Sequence, residues 1–180
     1  MLFRSGVPFD SAVAAIARLQ PVTGRMQRLG GGDLPLVVVD YAHTPDGLEQ
    51  TLQALRTVAQ ARCGRLVAVF GCGGERDRGK RMLMGRAASR HADAIILTSD
   101  NPRGEDPEAI IAEIASGIER THERIVDRRE AIARAIGSAS ASDVVLLAGK
   151  GHERSQEIGG RHIPFSDALE ARQALEGWAG

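Results

Sequence analysis

Aromatic residues make up only 3% of this 180-residue chain: one Trp, one Tyr and four Phe. That scarcity removes the stacking platforms on which single-stranded nucleic acids bind, and it leaves a core to be built from Val, Ile, Leu and Ala. Net charge is missing as well, since 23 Lys and Arg face 23 Asp and Glu. A nucleic-acid binder would carry a basic surplus to neutralise phosphates, so nucleic acid is set aside as a partner. No apolar run approaches the roughly 20 residues of a membrane span, and the N-terminal MLFRSGVPFD has no apolar stretch of signal-peptide length. No membrane partner is expected. Cysteine occurs only at Cys63 and Cys72, too few for a disulfide framework or a four-Cys zinc site, and a reducing cytoplasm is the expected location. HxxxH, HExxH and CxxC spacings are also absent, so no metal site is expected.

What remains is an ordinary globular composition, 43% hydrophobic and 26% charged, long enough for one large domain or two small ones. Of the 23 basic residues only Lys80 and Lys150 are lysines, and each directly follows a glycine. The first thirty or so residues read as a lead-in, with Asp10 capping a helix through SAVAAIARLQ, a turn at Pro21 and GlyArgMet leading into GGGD. From Leu36 onward aliphatic runs, loops and amphipathic segments repeat, the pattern of βαβ units. The runs lie at 36–39, 66–70, 94–97, 124–126 and 144–148, and helices are expected near 46–60, 80–91, 107–119, 128–137 and 166–177. All but the fourth run are continuous rather than alternating, as in strands covered on both faces. The expected fold is therefore α/β, a Rossmann-like doubly wound and mostly parallel sheet with helices on both faces. GlnGluIleGlyGlyArgHisIle, with Gly159 and Gly160 at its middle, reads as a short hairpin or an antiparallel edge strand.

In such sheets ligands sit beyond the carboxyl ends of the strands, so the loops after each run are the place to look. In the 71–81 loop, Gly74 through Lys80 spells GxxxxGK, but Arg81 stands where a phosphate-binding loop needs Ser or Thr for Mg2+. Its glycines also fail to give GxGxxG. What is left is a helix start with Arg76, Arg78, Lys80 and Arg81 that favours an anionic group. The 99–107 loop presents Asn101 and Arg103 around Pro102, an amide and a planar guanidinium able to hold a carboxylate and an ammonium together, while Asp106 and Pro107 read as a helix cap. In the 149–154 loop Lys150, His152 and Glu153 lie among glycines, offering a cation and a carboxylate at a strand end. The 40–46 loop holds Asp40, the lone Tyr41 and His43: Asp40 is suited to a ribose hydroxyl, and Tyr41 or His43 to packing on a base, while Thr44 and Pro45 start a helix. His91, His122 and His162 read as surface or packing residues.

In this order and spacing the four loops resemble the C-terminal domain of the Mur ligases, which assemble the peptide of the peptidoglycan precursor. AspAsnProArg at 100–103 is similar to the motif of the branch that adds meso-diaminopimelate rather than L-lysine, and GlyLysGlyHisGlu (149–153) and AspTyrAlaHisThrProAsp (40–46) match alongside it. The resemblance implies an ATP-dependent amide ligase acting on UDP-N-acetylmuramoyl-L-alanyl-D-glutamate through an acyl phosphate. It places Arg76, Asp100, Asn101, Pro102, Arg103, Gly149 and Glu153 at the diaminopimelate pocket, with Arg103 gripping the distal carboxylate and Glu153 the distal ammonium. Arg25, Asp40, Tyr41 and His43 fall on the ATP side, and Lys80 and Arg81 near phosphate or acidic substrate groups.

The family's ATP-binding loop, Mg2+ ligands and carboxylated lysine belong to a central domain, and its UDP-sugar site to an N-terminal one; none of those motifs occurs here. The resemblance thus implies a domain division at residues 1–30, the end of the central domain and lead-in, and 31–180, the C-terminal domain. Expected partners are the small-molecule substrates and the other domains of the same protein; the chain is expected to be a monomer, inactive alone, and to bind no metal itself. Two rivals remain open from the residues: a stand-alone amino-acid or nucleotide binding module without catalysis, and a small ATPase using residues 74–80.

Overall fold

The computed structural model of the protein describes Ser11 and residues 22–180. The helix expected behind Asp10 and the turn at Pro21 lie outside the described residues. In chain order the elements are β1 (Gln27–Gly30), β2 (Leu36–Asp40), α1 (Pro45–Ala61), β3 (Leu66–Phe70), α2 (Gly79–His91), β4 (Ala94–Leu97), α3 (Pro107–Ala115), β5 (Glu123–Arg124), α4 (Arg128–Gly137), β6 (Val144–Ala148), β7 (Ser155–Ile158), β8 (Arg161–Pro164) and α5 (Asp167–Glu176).

The continuous aliphatic runs become strands buried on both faces. Every residue of β2, β3 and β6 is buried, and alternate side chains serve opposite layers. Val38, Ala68 and Leu146 pack beneath α1, α2 and α3, whereas Val37, Val39, Val145 and Leu147 pack against α4 and α5. Helix α1 shows how local chemistry sets an element. Thr44 accepts the Gly47 N–H at 3.1 Å, Pro45 sits in the first turn, and Leu48, Leu52, Leu55 and Ala59 form the buried stripe. Asp106 and Asp127 cap α3 and α4 in the same way. Helix α3 ends at Ala115 rather than near 119, because Ser116 and Gly117 close it where α2 crosses: a Cβ on Gly117 would lie 2.0 Å from the Met82 carbonyl oxygen.

The six-stranded sheet runs β1-β2-β6-β3-β4-β5, parallel except for β1 against β2. The fold is the doubly wound α/β sheet expected, with helices on both faces. One detail differs from the sequence reading, and one alternative it left open is decided. The antiparallel edge is β1, inside the segment assigned to the lead-in, where the short GlyGlyGlyAsp turn folds it back onto β2. The 155–164 segment takes the hairpin alternative, a separate two-stranded sheet. Insertion of β6 between β2 and β3 matters most for function, since it brings the loop after β6 beside those after β2, β3 and β4.

Candidate functional site

Those four loops enclose a cavity of about 430 Å³ at the carboxyl edge of the sheet. Of the residues expected at a site, it gathers Tyr41, His43, Arg76, Lys80, Asp100, Asn101, Arg103, Gly149 and Glu153. Residues up to 112 positions apart in sequence, Tyr41 and Glu153 (153 minus 41), thus share one hollow.

One corner of the cavity is acidic. Asp100, at the end of the β4 segment, is buried, and its Oδ1 has no hydrogen-bond partner among the described residues. Burial pushes its carboxyl up from the ordinary value against the pull of Arg128 and Lys150. Gly149 permits this placement: its φ is +114°, and a Cβ there would lie 2.8 Å from Asp100 Oδ2. Lys150, completely buried, donates to Glu153 Oε2 at 2.8 Å and to Asn101 Oδ1 at 2.9 Å, and stands 3.6 Å from Asp100 Oδ1. Asn101 Oδ1 also accepts the Glu157 N–H at 3.0 Å, and its Nδ2 donates to Glu153 Oε2 at 2.9 Å. The amide orientation is therefore fixed by donors on one side and an acceptor on the other. Partial burial opposes charge on Glu153, but the bonds from Lys150 and Asn101 win and hold its carboxyl below the usual range.

The opposite rim is basic. Arg103 has φ +53°, and its backbone bridges to the β7–β8 hairpin: its N–H donates to the Glu157 carbonyl at 3.0 Å, and its carbonyl accepts the Gly159 N–H at 2.7 Å. Its Nε pairs with Glu157 Oε2 at 3.1 Å and Nη1 donates to the Gly74 carbonyl at 2.7 Å. Three N–H donors, one on Nη1 and two on Nη2, remain for a ligand. Arg76 is exposed at the same rim, and Lys80 reaches across to the His43 carbonyl at 2.8 Å. A carboxylate at the rim and an ammonium at the corner would both find partners.

Beside the cavity lies an aromatic shelf. The Arg25 guanidinium stands 4.9 Å from the Tyr41 ring centre, and the rings of His43 and His152 lie 4.6 and 5.3 Å from it. The GlyArgMet turn is held here by close contact, since a Cβ on Gly24 would lie 2.1 Å from the His152 nitrogen.

Three expected site residues are placed elsewhere. The Asp40 carboxylate accepts the N–H groups of Met26 at 2.8 Å and Ala42 at 2.9 Å, so it pins the GlyArgMet turn to the end of β2. Arg81 is fully buried under α2, donating to Glu105 at 3.0 Å and Glu113 at 2.9 Å, away from any phosphate. Pro102 turns to a second hollow of about 610 Å³ behind the loop. Conversely, Lys150 and Glu157, which orient Asn101, Glu153 and Arg103, were not among the residues that the resemblance placed at a site. Lys150 was signalled as the cation of the 149–154 loop, but as one offered to a ligand rather than buried behind Asn101 and Glu153. Below the site Arg128 and Asp167, both without exposure, form two 2.8 Å bonds, and Arg128 Nη2 also donates to the Ala148 carbonyl at 3.0 Å. This pair locks the starts of α4 and α5 to the end of β6.

Residues 24–151 match the family described as Mur ligase, glutamate ligase domain. The chain belongs to the Mur ligase family. It is 56% identical over 97% of its length to the UDP-N-acetylmuramoyl-L-alanyl-D-glutamate--2,6-diaminopimelate ligase of Ralstonia nicotianae, and 59% identical over 94% to that of Acidovorax sp.. A solved structure of a ligase with the same name superposes with a TM-score of 0.79 at 47% identity over 97% of the chain. The chain corresponds to the C-terminal domain of these Mur ligases, which constitute the MurE branch, and it spans about a third of their length, 34% in both curated relatives and 36% in the solved structure.

Proposed function

We propose that the cavity binds the amino group donor of an ATP-dependent amide ligase, meso-diaminopimelate, which is joined to UDP-N-acetylmuramoyl-L-alanyl-D-glutamate in peptidoglycan synthesis. The observation that carries this reading is the pairing of an acidic corner, Asp100 and Glu153, with a basic rim, Arg103 and Arg76, in one cavity of a chain so similar to ligases named for diaminopimelate. A zwitterionic amino-acid end needs both. Arg103 receives the distal carboxylate on its free Nη edge, and the ammonium lies against the Glu153 carboxylate with the buried Asp100 carboxyl behind it.

ATP is placed against the Arg25–Tyr41–His43 shelf, with Lys80 between it and the amino-acid cavity. Among the described residues no group of three or more His, Cys, Asp or Glu is positioned to hold a metal ion. Mg2+ belongs, in this reading, to the central domain, which also supplies the phosphate clamps; without them the chain binds an amino acid and catalyses nothing. The work of these residues is positioning: holding the amine donor at the mouth of the cavity where an activated carboxyl would meet it. We place the boundary with the central domain before Gly24 rather than at residue 30, because β1 is a strand of this sheet. The complete enzyme is taken to be a cytoplasmic monomer.

The test is an amide NMR titration of the chain with meso-diaminopimelate and, separately, L-lysine. Shifts centred on residues 76, 100–103 and 149–153 with diaminopimelate but not with lysine are expected. Absence of shifts there at millimolar diaminopimelate refutes the site. ATP hydrolysis by the chain alone would instead support the rival reading of residues 74–80.

A further inference from the structure

Lys150 is the least accessible charge at the site and the best connected. Its ammonium reaches Glu153, Asn101 and Asp100 at 2.8, 2.9 and 3.6 Å with no exposure of its side chain. A buried ammonium is costly unless paired, and its partners here are residues with a proposed role in ligand binding. The charges then add simply. With both carboxyls ionised, Asp100 and Glu153 supply two negative charges and Lys150 one positive, while the Arg128–Asp167 pair beneath adds none, so the corner carries at most one net negative charge, enough for a single ligand ammonium. Across the cavity Arg76, Lys80 and Arg103 are positive, and Asp77 and Glu157 match two of those three charges, which leaves one positive charge for a ligand carboxylate. A ligand end that brings one ammonium and one carboxylate satisfies both sides. One that brings an ammonium alone satisfies the corner and leaves the rim unmatched.

We propose that Lys150 is a specificity-determining positioning residue: its buried ammonium fixes Asn101 and Glu153 and neutralises one of the corner's two carboxylates, so that the cavity prefers a zwitterionic amino-acid end over a lone ammonium. This inference rests on the reading of the cavity as an amino-acid site. Lys150 acts through its neighbours, since Asn101, Asp100 and Glu153 stand between it and the open space. Its removal changes affinity by taking away one of the two donors on Asn101 Oδ1 and the Lys150 bond to Glu153, and it changes preference by raising the corner's net negative charge by one. A residue needed only for folding would alter neither the preference between two ligands nor its dependence on Glu153.

The experiment is a set of amide NMR titrations with meso-diaminopimelate and with L-lysine on three forms of the chain: wild type, Lys150→Met and Lys150→Met with Glu153→Gln. Wild type is expected to prefer diaminopimelate. In Lys150→Met affinity for diaminopimelate falls by about tenfold or more while that for L-lysine holds or rises, narrowing the preference by at least about tenfold. The double variant restores the corner's charge, so the preference returns while affinity stays weak because Asn101 and residue 153 have lost the Lys150 bonds that held them. A folded Lys150→Met with unchanged preference, or a double variant in which the preference fails to return, overturns the role of Lys150 and leaves the amino-acid reading standing. If wild type binds neither ligand, the amino-acid reading itself falls and takes this role with it. Should the amide spectrum show Lys150→Met unfolded, the double variant decides: wild-type preference at reduced affinity supports the role, and unchanged affinity overturns it.

Discussion

Replacing Arg103 by Lys keeps the charge and removes the geometry, and the structure says what that is worth. The guanidinium is already tied, its Nε in an ion pair with Glu157 Oε2 at 3.1 Å and its Nη1 donating to the Gly74 carbonyl at 2.7 Å, and these hold the plane with the edge of the remaining Nη donors toward the cavity. A carboxylate arriving there can take two charge-assisted bonds from that edge, whereas an ammonium on a flexible stem offers one and loses the anchoring to Glu157 or Gly74 to do so. Each such bond contributes about 1.5–3 kcal/mol. Arg103→Lys is therefore expected to weaken meso-diaminopimelate binding by about 10- to 150-fold, at 1.4 kcal/mol per decade, and Arg103→Ala by roughly the square of that. Binding of L-lysine, which brings no distal carboxylate, should be unaffected by either change. Isothermal titration or chemical-shift titration of the chain reads all four values. If Arg103→Lys retains diaminopimelate affinity within about threefold, or if both ligands weaken equally, the bidentate assignment is wrong.

Asp167→Asn should leave the buried Arg128 guanidinium without its counter-charge and cost about 3–5 kcal/mol in urea unfolding, as breaking a fully buried ion pair usually does; a loss below about 1 kcal/mol would mean that the carbonyls of Ala148 and Ser99, 3.0 and 3.4 Å from Arg128, hold it alone. Glu105 should govern part of the acid sensitivity. Its carboxyl is pulled down to about 2 by the Arg81 guanidinium and then by the Glu75 N–H, so its contribution is complete above the ordinary value of 4.5 and is lost as pH falls from there toward 2. Glu105→Gln is expected to flatten the stability profile over that interval when unfolding is followed at several pH values; curves that run parallel would contradict it.

How much of this was legible in the sequence depends on the range of the forces involved. Elements set by neighbours in the chain could be read directly: the all-apolar strands, the Thr44-Pro45 and Asp106-Pro107 helix starts, and the loops following each strand. The convergence of those loops could be expected from the βαβ rule, because a parallel sheet places every strand-to-helix loop at one edge. The fate of individual charges could not. Lys80 and Arg81 are adjacent in the chain, yet one lines the cavity and the other is buried, because Glu105 and Glu113 lie on the α3 side of α2 and capture whichever side chain the helix turns toward them. Asp40 looked like a ribose ligand from its place at the end of β2; only the return of residues 24–26 across that end supplies the N–H groups that occupy it.

The same distinction separates the proposed ligand-binding side chains from those that orient them. Asn101, Arg103 and Glu153 stand on glycine- and proline-marked loops whose chemistry can be read locally. Lys150 meets Asn101 across 49 positions, Glu157 meets Arg103 across 54, and Arg128 meets Asp167 across 39, as 150 minus 101, 157 minus 103 and 167 minus 128. None of these pairs has a local signature, since any exposed Arg or Glu would read the same until the sheet order brings its partner near. A shape-conserving change to an orienting residue should therefore move ligand preference before it moves stability, provided no buried charge is left alone. Glu157, with 29% of its side chain exposed, meets that condition, and Lys150, with none, does not. Glu157→Gln should accordingly loosen Arg103 and weaken diaminopimelate binding in a chain of nearly unchanged Tm, and a large fall in Tm with affinity intact would assign Glu157 to the fold instead.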